Sequence, residues 1–141
     1  MIRTAAILGA LSLGLVAVPA SAASEPFIAG AAAYEEGSAS TMKPEEQAEF
    51  AYCAGYWNLW VEALNDSLVA EEDLAVLSPV LQDLSAPFQT IGWFTKLKEA
   101  DKFNAEIDEG EAEARMFLAG ALAGDVQAGK NLFGTLGACE L

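Results

Sequence analysis

Apolar residues recur at helical spacing through the middle of the chain. Phe50, Cys53, Trp57, Trp60 and Leu64 follow alternating three- and four-residue steps, and Ala54 and Val61 widen the stripe, which predicts an amphipathic helix. It opens near Thr41–Pro44 and closes at Asn65-Asp66-Ser67. Proline suits a first helical turn, and Glu45 and Glu46 suit the positive end of the helix dipole. A second helical stretch is expected over Ser67–Leu77, ended by Ser78-Pro79, a pair that also starts the next helix well. Leu77, Leu81, Leu84, Phe88 and Ile91 keep the three-four spacing across Pro87. Either a kinked helix or two helices meeting near Ala86–Pro87 satisfies that pattern, with Trp93, Phe94 and Leu97 extending its apolar side.

From about Asp101, Phe103, Ile107, Ala114, Phe117, Leu118 and Ala121 share one helical face. Gly110 in its middle costs about 1 kcal/mol against alanine and marks a candidate kink or break. Gly124 should stop this helix, and Asp125 should cap a last one with Val126, Leu132, Phe133 and Leu136 inward, stopped in turn by Gly137. No segment shows the alternation and turn chemistry of a sheet. The expected fold is all-α, a small antiparallel bundle of four to five helices joined by short loops.

The N-terminus has a different character. Met1-Ile2-Arg3 is followed by an apolar run from Ala5 to Val18, then Pro19 and the triplet Ala20-Ser21-Ala22. A positive start, an apolar run of this length and an A-x-A site read as a bacterial secretory signal over residues 1–22. The run is shorter than the roughly 20 apolar residues of a spanning helix. The expected address is therefore the periplasm or the medium, with no membrane attachment after cleavage. Residues 23–40 are rich in Ala, Gly and Ser without a sustained period, and read as a flexible N-terminal arm with at most one helical turn around Ala31–Glu36. Residues 41–141 form the helical domain.

Charge narrows the partners. Without Arg3 the chain keeps six Lys and Arg against 21 Asp and Glu, a net charge of −15. Such a field repels nucleic-acid phosphates and anionic lipid heads. Two cysteines, Cys53 and Cys139, allow one intramolecular pairing, and in an exported chain an even count points to a disulfide. It would fix the C-terminus against the first strong helix.

The chemistry available is limited. The chain has no histidine, which removes histidine-based triads, histidine general acid–base work and histidine-ligated metal or haem. With both cysteines bonded, no thiolate nucleophile or soft-metal ligand remains. Carboxylates are left. An EF-hand register with Gly110 at position 6 puts Ala105, Ile107 and Met116 where oxygen ligands are needed, so the acidic run from Glu106 to Glu113 does not match. Glu45, Glu46, Glu49 and Glu62 are the only candidate acid–base set, and they sit where helix capping also wants carboxylates. Glycines 120, 124 and 129 form no phosphate loop; Gly120-x-x-x-Gly124 suits close backbone packing at a helix end. No cofactor, metal site or catalytic residue is expected.

The most unusual segment is aromatic, Tyr52-Cys53-Ala54-Gly55-Tyr56-Trp57-Asn58-Leu59-Trp60. Trp57 and Trp60 on one stripe, with Tyr56 beside them and Trp93 from a later helix, either belong to the core or line an apolar groove for a ligand or partner. Gly55 leaves room there for a close neighbour or a ligand. The function expected is an exported, non-catalytic helical protein binding a partner protein or a small apolar ligand. A periplasmic chaperone-like or stress-protective protein is the alternative, and a carboxylate enzyme the third reading.

Overall fold

A computed structural model describes residues 22–141; the expected signal segment lies outside these residues except for Ala22. Among the described residues there are six helices and no strand: α1 Glu25–Ala39, α2 Gln47–Asn65, α3 Glu71–Leu74, α4 Ala86–Lys96, α5 Asn104–Leu122 and α6 Val126–Ala138. Short 3₁₀ turns at Pro79–Leu81 and Ala100–Phe103 precede α4 and α5. The all-α bundle and the Cys53–Cys139 disulfide are both present, with the two Cα atoms 5.4 Å apart.

The central helix is α2. It is buried at nearly every position from Ala51 to Ala63, far more than one stripe, because α4 and α6 cover one side and α5 another. A reciprocal capping box starts it: the Glu46 side chain takes the N–H of the third turn position, and Glu49 Oε2 accepts from the N–H groups of Glu45 (2.7 Å) and Glu46 (3.0 Å). Those two bonds hold the Glu49 carboxyl below its usual pKa. Pro44 lies before the helix, not in its first turn. At the other end Ser67 takes a left-handed φ of 52°, and the Leu68 N–H returns to the Ala63 carbonyl, which terminates the helix where the sequence predicts.

Residues 23–40 correct the sequence reading. They are not a flexible arm: Glu25–Ala39 is a 15-residue helix whose Phe27 and Tyr34 are fully buried. Its packing does not rely on a large apolar stripe. Gly129 and Gly137 of α6 lie against the α1 carbonyls of Pro26 and Tyr34, and Gly37 of α1 lies against the Gly134 carbonyl of α6. Small residues let the two backbones meet, and the helices run parallel, Pro26 beside Gly129 and Tyr34 beside Gly137. The α2/α5 pair repeats this device, Gly55 against the Ile107 carbonyl and Gly110 against that of Tyr52, and it too runs parallel, with Glu49 near Glu106 and Glu62 near Arg115. Each parallel pair is connected through other helices, so the short-loop argument does not reach it. The sequential neighbours α5 and α6 are antiparallel, and α2 and α4 also cross antiparallel, with Phe50 near Trp93 and Trp60 near Leu81.

These contacts settle the glycines. Gly110 does not break α5, because it serves the α2 seam; Gly55 makes room for a backbone; and Gly137 lies inside α6 and does not stop it. Gly124, at φ +97°, does end α5, and Asp125 Oδ1 caps α6 by accepting from Gln127 and Ala128. A Cβ on Gly137 would stand 2.9 Å from the Ser38 nitrogen and 3.0 Å from the Tyr34 carbonyl carbon, whereas one on Gly134 would meet Ala33 at an ordinary 3.8 Å. Backbone cannot rotate aside. Gly137→Ala should therefore lower stability by about 1–3 kcal/mol, while Gly134→Ala should be neutral or gain up to about 1 kcal/mol of helix propensity. Urea unfolding of the two variants checks this, and equal effects would refute the seam.

Two other stretches differ from expectation. The helix expected over Ser67–Leu77 is a single turn, Glu71–Leu74, with no buried residue. Its three acids leave it little apolar face, and Asp73 holds the start of α1 by accepting from the N–H (2.8 Å) and hydroxyl (3.0 Å) of Ser24. The pattern across Pro87 resolves into two elements, with Gln82–Ser85 between the 3₁₀ turn and α4.

Candidate functional site

Tyr56, Trp57, Trp60 and Trp93, the residues expected to offer an apolar surface, lie in the core. Trp60 packs edge-on against Phe133, centroids 5.2 Å apart, and its Nε1–H donates to the Leu81 carbonyl at 2.9 Å. Trp57 and Trp93 share one acceptor: both indole N–H groups donate to the carbonyl of Cys139, at 2.9 and 2.6 Å. A carbonyl has two lone pairs, so both bonds are satisfied without loss. The disulfide and this double acceptor together fix the C-terminal end of the chain in the centre of the molecule. Two neighbours add to the latch, the Tyr34 hydroxyl donating to Glu140 (2.7 Å) and the Leu141 N–H donating to the Gln89 side chain (2.8 Å).

Tyr56 is covered by α5. Its hydroxyl donates to Glu113 at 2.8 Å, and two residues on, the Asn58 amide donates to Glu111 at 2.6 Å. Burial, then the Tyr52 hydroxyl and Glu113, push the Tyr56 phenol far above its usual range; burial also raises Tyr34, with Glu140 adding to it. Tyr52, ring 5.0 Å from that of Tyr56, is pushed up to about 12, chiefly by burial. Three of the carboxylates weighed as an acid–base set have structural partners: Glu46 and Glu49 cap α2, and Glu62 pairs with Arg115 at 3.6 Å, while Glu45 is exposed. Among the described residues no three acidic or thiol side chains are grouped to hold a metal ion.

What the structure presents outward is different. Leu84, Phe88 and Ile91 are 86, 71 and 60 % exposed. The sequence pattern grouped them with Leu77 and Leu81, which are buried. The correction has a physical cause. The chain turns at Gln82–Ser85, and α4 is then oriented by Ala86 and Trp93, seven residues apart, with Trp93 tied to the Cys139 carbonyl and tilted on Phe50 at 5.6 Å. The opposite face of α4 keeps a strip of large apolar side chains with no cover among the described residues. Asp83 stands near one end, Lys96 and Lys98 near the other. The seven-residue separation of Ala86 from Trp93, competing with the Leu84-Phe88-Ile91 register, was the available sign.

A groove of about 470 Å³ lies where the segment before α2 meets the first turns of α2 and α5 and the end of α6. Cys53, Cys139 and Ala138 lie at its base, Tyr52 on one side, and Glu49, Glu106 and Glu109 around it. It depends on residues brought together from four parts of the chain, and no local pattern announces it. No family model, curated protein or solved structure matches the chain.

Proposed function

We propose that this chain is an exported, non-catalytic helical protein that binds a partner protein through the outer face of α4. The observation that carries this reading is the set Leu84, Phe88 and Ile91, three large apolar side chains mostly in solvent, Leu84 in the turn before α4 and the other two on it. Contiguous apolar surface of this kind on a highly charged chain marks an interaction site more often than it marks neglect. Phe88 and Ile91 lie about one turn apart on α4 and Leu84 lies in the turn just before it, a short apolar surface that suits the apolar side of an amphipathic segment from another protein. Export is supported by the signal-like N-terminus and by the disulfide. No described helix is long and apolar enough to cross a membrane.

The closed aromatic core turns the reading away from a small apolar ligand held between the tryptophans and towards a protein partner. The same exposed strip also favours the chaperone-like alternative, in which it would hold unrelated unfolded chains. A photo-crosslinking residue at Phe88, with Met116 (60 % exposed on α5) as the control position, distinguishes the two in the exporting cell. One defined adduct at position 88, lost on Ile91→Asp and absent at 116, is the expected result. A smear of many adducts would replace partner binding by the chaperone reading. Absence of any adduct specific to position 88 would overturn both.

A further inference from the structure

We propose that the groove over the Cys53–Cys139 disulfide binds an organic cation: an ammonium or guanidinium group carried on a short apolar body. The site is separate from the α4 strip, and the inference does not rest on the partner reading. The base of the groove is apolar and is held in place by the disulfide, while its openings are lined by Glu49, Glu106 and Glu109. Its volume of about 470 Å³ falls within the range of small-molecule sites.

The one cation in its wall does not neutralise these acids. Lys43 Nζ donates to the carbonyls of Ser38 (2.9 Å) and Gly37 (3.5 Å), closing the C-terminal end of α1. Neither Glu106 nor Glu109 has a salt-bridge partner among the described residues, and one Glu106 oxygen is buried with no donor facing it. The groove thus combines uncompensated negative charge with the Tyr52 ring and an apolar base. An amine or guanidinium satisfies all three, through carboxylate pairing, aromatic-face contact and burial of its hydrocarbon. A bare metal ion satisfies only the first, and no three ligand side chains are grouped for it. The net charge of the full chain, −14, adds a long-range attraction for cations and a barrier to anions.

The test uses the disulfide-intact mature chain, labelled with nitrogen-15, and three probes of similar size: 2-phenylethylammonium, neutral 3-phenylpropanol and anionic 3-phenylpropanoate. A Gly-Arg-Gly peptide forms a separate arm, which tells whether the cation is accepted on a peptide as well as free. Amide shifts should saturate with the ammonium probe and cluster at Met42, Tyr52 and Ala138. Affinity should fall about tenfold or more for the neutral and anionic probes, roughly the loss of one charge-assisted contact. Glu106→Gln and Glu109→Gln should each weaken binding about two- to fivefold, as partly exposed ion pairs do. Glu25→Gln, at the start of α1, and Glu72→Gln, on α3, remove the same charge at the opposite end of the α1/α6 pair from the groove and should leave affinity unchanged; the amide spectra confirm that each variant is folded. If all four variants weaken binding equally, the attraction is only the general field and the site is refuted. Equal binding of the three phenyl probes, or no saturable shift with either the ammonium probe or the peptide, refutes it as well.

Discussion

Trp60→Ala should lower the free energy of unfolding by about 3–5 kcal/mol, the usual range for deleting a large buried aromatic. Trp60 has no exposed surface, and its six-membered neighbour Phe133 also supports Phe27 of α1, centroids 5.6 Å apart. Truncation would therefore open a cavity at the junction of α1, α2 and α6. It would also leave the Leu81 carbonyl without the indole N–H that reaches it, an added cost of about 1–3 kcal/mol if no water takes that place. Phe88→Ala is the natural contrast. It removes a ring of comparable size from α4, but that ring is 71 % exposed, and the stability change should stay within about 0.5 kcal/mol. Urea unfolding followed by circular dichroism reads both. A loss below 1 kcal/mol for Trp60→Ala, or an equal loss for the two variants, would mean that the core and the open face have been assigned the wrong way round. Fluorescence adds an independent reading, since Trp57, Trp60 and Trp93 are all buried and the native emission should be blue-shifted as a whole.

That contrast also shows which parts of the fold were legible in the sequence. Where large apolar residues recur on one helix, as from Phe50 to Leu64, the helix and its buried tryptophans follow directly from spacing. Caps made by a local side chain, such as Asp125 at the start of α6, are equally readable. The α1 helix was missed because its side chains are mostly small. Its stability comes from backbone approach to α6, about one hundred residues away, and glycines that look like breakers locally are the contact points there. The face of α4 was misassigned for a related reason. Both Leu84-Phe88-Ile91 and Ala86-Trp93 are valid helical registers, and the choice between them is made by the Cys139 carbonyl, which no local window contains. The candidate sites inherit these limits: the α4 strip is visible in sequence as hydrophobicity but not as surface, and the groove is not visible at all.

The same C-terminal latch sets the second large effect. Replacing both Cys53 and Cys139 by serine should cost about 2–4 kcal/mol while the helical spectrum is retained. The bond joins residues separated by 86 positions, and loop closure on that scale is ideally worth about 4 kcal/mol, acting by restricting the unfolded chain. The lower end of the range arises because a reduced, unfolded chain retains some compactness, so less entropy is gained than in the ideal case; the folded end of the chain has other holds as well, the two indole bonds to the Cys139 carbonyl, Tyr34 on Glu140, and Gln89 on the Leu141 N–H. Those contacts act on the native state, so they preserve the fold without replacing the entropic term. The prediction is thus a lower urea midpoint with a steeper transition, because the unlinked unfolded chain is less compact, and a native far-ultraviolet spectrum before it. Trp57→Phe in the serine background separates the two contributions. With the disulfide absent, the variant should lose at least about 0.5–1.5 kcal/mol more, the net worth of a neutral hydrogen bond, plus the cost of the void a smaller ring leaves at a fully buried position. If the double serine variant loses less than about 1 kcal/mol, the covalent link is not the main constraint on the end of the chain. If it loses its helical spectrum altogether, the hydrogen-bonded latch is not sufficient to hold α6 in the core.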